Sequence, residues 1–195
     1  MLKEVLTLLN SGEFQSSLTK INKNYSNLKQ ESVIRNSILE LLNEKFLDKH
    51  QRAFAEHPRE GSKRIDLSIY DQVKKESYCI EFKFQYTNDF GKFVNYQGLI
   101  DSDFNRIIRE GIKCDLFILI VARWNPKEKE DYDLKWGTHS AKQSLSRYLS
   151  NDDVWKDNLK KLFNSYNLIA EFTTIDLYVT EPYKTEYFFH IMNRS

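Results

Sequence analysis

The sequence predicts an α/β fold with a central mixed sheet of four or more strands flanked by helices. Two runs in the first half alternate apolar and polar residues, as half-buried strands do, and residues 116–122 are continuously apolar, as in a strand buried on both faces. Helical periodicity precedes the first two runs and separates them from the third. This order favours a mixed sheet, because a parallel strand pair needs a crossover connection.

The first part of the chain predicts three helices. Apolar side chains recur at helical spacing in residues 2–9 and again after Ser11, which suits an N-cap. The third helix, residues 31–46, keeps its apolar period for four turns. Residues 51–63 have no clear period, so we expect a loop there.

The two alternating runs follow. They are RIDLSIY (residues 64–70) and SYCIEFKF (residues 77–84). The charged residues 71–76 between them suit a hairpin, which would pair the two strands. A helix at 94–110 then leads to the buried strand at 115–122.

The last third mixes both kinds of element. We expect a charged loop at 125–135, helices at 140–149 and 153–166, and β-rich segments at 169–180 and 183–192. Asp152 or Asp153 could cap the second of these helices. No repeat or break in composition divides the chain, so we expect a single domain spanning residues 1–195.

Composition narrows the functional classes. A chain of 195 residues with 41% hydrophobic residues suits one folded domain. A net charge of +1 argues against a uniformly basic nucleic-acid coat but leaves a local basic groove open. Cys79 and Cys114 lie in apolar runs and are expected to be reduced. With no signal peptide and no run near the roughly 20 apolar residues that span a bilayer, we expect a cytoplasmic protein without a membrane partner.

The polar face of the paired strands carries the candidate chemistry. Asp66 lies on the first strand, and Glu81 and Lys83 lie on the second, where residues two apart are about 7 Å from each other on one face. Two carboxylates in so small a volume stay ionised only if a cation holds them. Mg²⁺ prefers such oxygen ligands, and Lys83 could then orient an attacking water.

This arrangement resembles the PD-(D/E)xK nuclease superfamily, whose fold is restriction-endonuclease-like. The resemblance covers about residues 31–122, which would form the core, and leaves a helical and β-rich flank at 123–195. Ile65 stands where the family has a proline before the aspartate, although that proline is often absent.

The resemblance implies a role for each residue of the motif. Asp66 and Glu81 match the metal-binding acids, and Lys83 matches the catalytic lysine. Many members carry a further glutamate on the preceding helix. Glu31 is the first choice for that catalytic and metal-binding position, and Glu40 is the fallback.

The activity implied is Mg²⁺-dependent phosphodiester hydrolysis, with Mn²⁺ able to substitute. The expected enzyme is a DNA endonuclease of restriction, resolvase, repair or mobile-element type, with RNA as the less favoured substrate. Cutting both strands of a duplex calls for two active sites, for which a homodimer is one arrangement.

Several residues are candidates for binding the nucleic acid. Gln97 matches a glutamine that some branches of the family carry near the site. The others are basic residues before the first strand or in the acid-free stretch at residues 135–148. The set is Arg59, Lys63, Arg64, Gln97, Lys135, Lys142 and Arg147. Trp136, in the same stretch, could stack on bases or pack inside.

Three other interpretations remain open. Glu81 and Lys83 could form the solvated face of an ordinary antiparallel sheet. The chain could be a catalytically silent nucleic-acid-binding module that keeps the fold, or an interaction protein whose contact surface is residues 169–192. A second acid-x-lysine tripeptide, at residues 133–135, is set aside because it lies in a charged run without a strand pattern.

If the acid-free stretch binds phosphates, the double variant Lys142→Gln/Arg147→Gln should bind DNA more weakly. Its salt dependence should also flatten, because each lost phosphate contact removes about one unit from the slope of log K against log salt. Fluorescence anisotropy across a salt series measures that slope. A slope equal to that of the wild type would exclude this stretch from the interface.

Overall fold

The computed structural model describes residues 1–26, 28–57, 64–87, 102, 106, 109, 111, 113–138, 151–165 and 171–193. The helices in these residues are α1 (Leu2–Leu9), α2 (Gly12–Asn24), α3 (Glu31–Leu41), α4 (Pro126–Trp136) and α5 (Asp152–Ser165). A π-helical turn, Leu42–Phe46, extends α3. The strands are β1 (Gln51–Ala55), β2 (Leu67–Asp71), β3 (Glu76–Tyr86), β4 (Leu116–Trp124), β5 (Glu171–Val179) and β6 (Thr185–Asn193).

The strands form one mixed sheet of six, in the order β1-β2-β3-β4-β6-β5. β1, β2 and β3 pair antiparallel, β3 and β4 pair parallel, and β6 lies antiparallel between β4 and β5. The predicted α/β class with a mixed sheet flanked by helices is therefore confirmed, as is the hairpin between the two alternating strands.

Each face of the sheet packs against helices. One face, which includes Phe82, Phe84 and Ile118, buries its side chains against α1, α2 and α3. The other face, which includes Phe117 and Leu119, packs against α5. β4 is thus covered on both sides, as its continuous apolar sequence predicts. Among the described residues, no helix has both the length and the apolar character needed to cross a bilayer.

The loop expected at residues 51–63 is wrong at its start, because β1 occupies Gln51–Ala55. Ala53 is the one fully buried residue of this edge strand. Residues 51–55 therefore lack the alternation of apolar and polar residues that predicts a strand. The strand is held from the side by Asn43, whose side chain accepts from the amide of Ala53 at 2.8 Å and donates to its carbonyl at 3.1 Å. The next strand, β2, begins at Leu67, so Asp66 lies just before the strand and not within it.

The loop expected at residues 125–135 is also wrong, because this segment forms α4. The Asn125 side chain caps the helix by accepting from the Glu128 amide at 3.1 Å, and Gly137, at φ 66°, ends it. Inside the helix Lys129 and Asp133 form a buried ion pair at 2.5 Å. Their charges occupy the buried face, so the apolar period that would predict a helix is missing.

The remaining differences are small. α5 is capped by Asn151 and not by the predicted aspartates, since Asn151 Oδ1 accepts from the amides of Asp153 and Val154 at 3.1 and 3.2 Å. The predicted helix at 140–149 lies outside the described residues, as does most of the one at 94–110, of which Ser102, Arg106 and Arg109 are described as helical.

The two-sided burial of β4 makes it the most sensitive part of the core. Ile118→Ala should lower the free energy of unfolding by about 2–5 kcal/mol, because the deleted carbons leave a cavity in a fully buried site. Val73→Ala, at a side chain that is 67% exposed, should change it by no more than about 0.5 kcal/mol. Urea denaturation of both variants tests the contrast, and similar losses would contradict this description of the core.

Candidate active site

The site forms where β2 stops covering the edge of β3. The pairing of these strands reaches only as far as Ile80, and no described strand continues it along the rest of β3. Two carboxylates take over as acceptors for the amides on that edge. Asp66 Oδ2 accepts from the amide of Phe82 at 2.8 Å, and Glu31 Oε2 accepts from the amide of Phe84 at 2.7 Å.

Glu81 joins the same group of acids. It lies on β3, is only 5% exposed, and its Oε2 accepts from the backbone amide of Asp66 at 3.3 Å. Backbone amides therefore orient three carboxylates through one oxygen each, and all three lie at the same break in the sheet. Side chains held in this way lose little freedom when they bind a ligand.

The second oxygen of each carboxylate has a different environment. Asp66 Oδ1 lies 3.4 Å from Arg35, and Glu81 Oε1 lies 2.5 Å from Arg106. Glu31 Oε1 makes no hydrogen bond or ion pair with any described residue. Two of the three acids are thus held by guanidinium groups at the position where another cation could bind.

Burial dominates the electrostatics of Asp66. It raises the pKa of this carboxyl above its ordinary value, while the Phe82 amide and the charges of Arg35 and Arg106 act in the opposite direction. Because Arg106 acts on Asp66 as well as on Glu81, this guanidinium lies within electrostatic range of both acids.

Glu31 is perturbed in the same direction. Burial raises its pKa, the Phe84 amide opposes that shift, the negative charge of Asp66 adds to it, and Lys83 lowers it. Lys83 lies on β3 two residues after Glu81, on the same face, with Leu119 as its register partner on β4. The four predicted catalytic residues therefore lie on or beside the part of β3 that extends beyond the start of β2.

The fallback glutamate is placed differently. Glu40 is exposed near the C-terminal end of α3, whereas Glu31 at the N-terminal end contacts β3. Between the two alternatives that the sequence leaves open, the contact with β3 favours Glu31.

The predicted nucleic-acid contacts are only partly described. Arg64, just before Asp66, has an exposed guanidinium 3.6 Å from Glu56. Lys135, in the last turn of α4, lies over the ring of Trp136, which is 62% exposed and so does not pack inside. Arg59, Lys63, Gln97, Lys142 and Arg147 lie outside the described residues.

Neither arginine of the site is among the residues predicted from the sequence. Arg35 follows Glu31 by four residues, so the two share a face of α3, and this spacing is a signal that could have found it. For Arg106 the sequence offers no such signal, because its contact with Glu81 joins a helix to a strand 25 residues earlier.

The donor chemistry fits Mg²⁺. Carboxylate oxygens are its usual protein ligands, and one or two of them suffice because the ion keeps several waters and takes phosphate oxygens from its substrate. Asp66 and Glu81 supply two such groups. Within the described ranges, no three histidine, cysteine or acidic side chains lie close enough to hold one ion together.

Glu31→Gln tests whether the site costs stability. Because the pKa of Glu31 is raised in the folded protein, its ionisation opposes folding at neutral pH, and glutamine imitates the protonated acid. We expect the variant to melt a few degrees higher at pH 7, since about 1 kcal/mol corresponds to about 2–4 °C in a chain of this size.

The stabilisation should disappear in acid. The advantage of Glu31→Gln should shrink as the pH falls towards and below the ordinary glutamate value of 4.5, where the wild-type carboxyl is protonated in both the folded and the unfolded state. Differential scanning fluorimetry across a pH series measures it, with Glu40→Gln on the exposed side of the same helix as control. An advantage that grows on acidification would contradict the raised pKa.

No protein-family model, no curated protein and no solved structure matches the chain. The chemistry open to it is therefore inferred from its own carboxylates, amides and cations.

Proposed function

We propose that the chain is a metal-dependent nuclease with a restriction-endonuclease-like fold that hydrolyses phosphodiester bonds, with DNA as the favoured substrate. One observation carries the proposal. Asp66, Glu81 and Glu31 lie where the sheet opens, each oriented by a backbone amide through one oxygen. The second oxygens of Asp66 and Glu81 contact guanidinium groups at the position where a metal ion could bind. Acids whose pKa values are raised by burial and that are nonetheless kept together are typical of functional sites.

Each residue has a separate task in this proposal. Asp66 and Glu81 hold the ion, and Glu31 holds a second ion or a water bound to it. A bound Mg²⁺ supplies positive charge at the phosphate and lowers the pKa of a coordinated water. Lys83 orients the attacking water and stabilises the negative charge that develops on the phosphate.

A second candidate is a catalytically silent nucleic-acid-binding module. The ion pairs of Asp66 with Arg35 and of Glu81 with Arg106 favour it, because they compensate both acids without any metal. In that case the acids would serve only to join α3, β2 and β3. The two candidates differ in whether divalent ions bind and whether phosphodiester bonds break.

The deciding experiment is incubation of the protein with plasmid, single-stranded and branched DNA in Mg²⁺, Mn²⁺ or EDTA. A nuclease cleaves at least one substrate in a metal-dependent way, and the substrate that is cut identifies the type. Thermal shift with each ion, without DNA, gives an independent readout, because a ligand that binds only the folded state raises the apparent stability. If the protein binds DNA, does not cleave it, and shows no metal-dependent rise in melting temperature, the silent module is favoured.

Asp66→Ala and Lys83→Ala should separate metal binding from chemistry. Asp66→Ala should lose both, because it removes an oxygen ligand and its charge. Lys83→Ala should lose cleavage by about 10²-fold or more while it keeps the metal-induced thermal shift, because the lysine acts on the water and not on the ion. Lys160→Ala, which removes a lysine whose side chain is 77% exposed on α5, is the matched control and should cleave normally.

Cleavage at the wild-type rate by Lys83→Ala would refute its assignment. Equal loss of metal binding in Asp66→Ala and Lys83→Ala would instead indicate that the acids and the lysine form a structural ion-pair network.

A further inference from the structure

We propose that Arg106 is a substrate-binding residue that exchanges its contact with Glu81 for a contact with the phosphate of the bond to be cut. The inference rests on the proposed nuclease function and assigns a specific phosphate ligand within that site.

The two terminal nitrogens of the Arg106 guanidinium have different partners. Nη2 donates to Glu81 Oε1 at 2.5 Å, while Nη1 donates to the carbonyl of Arg64 at 3.2 Å. The side chain is 28% exposed, so part of it is accessible from solvent at the site. Arg64 immediately precedes Ile65 and Asp66, and its carbonyl therefore anchors the guanidinium beside the acids whatever happens at Glu81.

Glu81 Oε1 cannot contact Arg106 and bind a metal ion at the same time. Glu81 Oε2 accepts from the amide of Asp66, and Oε1 contacts Arg106. If Glu81 binds a metal through Oε1, Arg106 must give up this contact. A half-buried guanidinium then needs another anion, because burying a charge without a partner is costly.

Arg35 does not face the same need. Its guanidinium lies 3.4 Å from Asp66 and also 3.9 Å from Glu56, so a second carboxylate is already present when Asp66 takes a metal. Among the described residues, Arg106 has no carboxylate other than Glu81 within 4.0 Å. Of the two arginines, Arg106 is therefore the one whose charge becomes available to a ligand.

The chemistry of that ligand follows from the fork. A planar guanidinium binds phosphate oxygens through two parallel N–H groups, and it lies here between the acids that would hold the ion and the chain that leads to Asp66. A phosphodiester bound to the ion would bring its own negative charge to this position. Arg106 then neutralises charge that increases as the attacking water adds to phosphorus.

The test compares Arg106→Gln and Arg106→Lys with Arg123→Gln. Arg123 is the matched control, since it is also a partly buried arginine paired with two acids, Asp152 and Glu186, but it lies on β4 four residues beyond the register partner of Lys83. Mn²⁺ binding to each protein without DNA is measured by electron paramagnetic resonance of the free ion. Cleavage kinetics are measured in saturating Mn²⁺ on the DNA that the wild type cuts.

Opposite changes are expected for Arg106→Gln. Mn²⁺ should bind about 3-fold or more tightly, because a positive charge that competes for Glu81 is gone. The value of kcat/KM for DNA should nevertheless fall by about 10²-fold or more. Arg106→Lys keeps the charge without the fork, so it should show Mn²⁺ binding close to wild type and an intermediate loss of cleavage. Arg123→Gln should change neither quantity.

Failure of this inference is distinguishable from failure of the proposed function. A wild-type protein that neither binds Mn²⁺ nor cleaves contradicts both. A wild type that cleaves, together with an Arg106→Gln variant that cleaves equally well or binds Mn²⁺ no more tightly, contradicts the phosphate role alone. Should Arg106→Gln fail to fold, Arg106→Lys decides, and cleavage by it at the wild-type rate overturns the inference.

Discussion

The site depends on one requirement, that a buried backbone amide must have an acceptor. β2 ends its pairing with β3 at Ile80, and the amides of Phe82 and Phe84 would lose their partners if no side chain replaced the strand. Asp66 and Glu31 provide those acceptors, and the amide of Asp66 in turn fixes Glu81. The opening of the sheet and the gathering of acids therefore have the same cause. A longer β2 would satisfy the backbone by itself and leave no reason for carboxylates to lie there.

In each carboxylate, one oxygen accepts a favourable hydrogen bond from a backbone amide, but the negative charge of the group is costly to bury. An amide is a good partner for one oxygen, yet burial raises the pKa values of Glu31 and Asp66, so the remaining negative charge disfavours the folded state. Arg35, Arg106 and Lys83 offset part of that cost by their positive charge. The acids are thus partly compensated without a metal. The cationic groups that compensate them can be displaced, so a metal ion could take their place.

The strands that carry the site are predictable from the sequence, whereas β1, α4 and the arginines of the site are not. The alternation in β3 indicates which face Glu81 and Lys83 share, because period two is a property of the chain itself. β1 is not predictable from alternation, because Ala53 is its one fully buried residue. α4 is not predictable from apolar periodicity, because its buried residues include the charged pair Lys129 and Asp133. The contacts of Arg35 and Arg106 depend on how helices dock on the sheet. Docking is set by tertiary packing, which a local pattern does not contain.

The order of the strands also affects how the protein is made. β6 lies between β4 and β5, and its Tyr187 hydroxyl lies 2.7 Å from the side chain of Gln30, the residue that precedes Glu31. The start of α3 is therefore held by a strand synthesised after every acid of the site. Between Lys83 and Tyr187 the ribosome adds 104 residues, which takes about 5–20 s at roughly 5–20 residues per second. Once β4 has been made, its edge lacks a partner until β6 emerges, so the nascent chain is open to mispairing during that part of the interval.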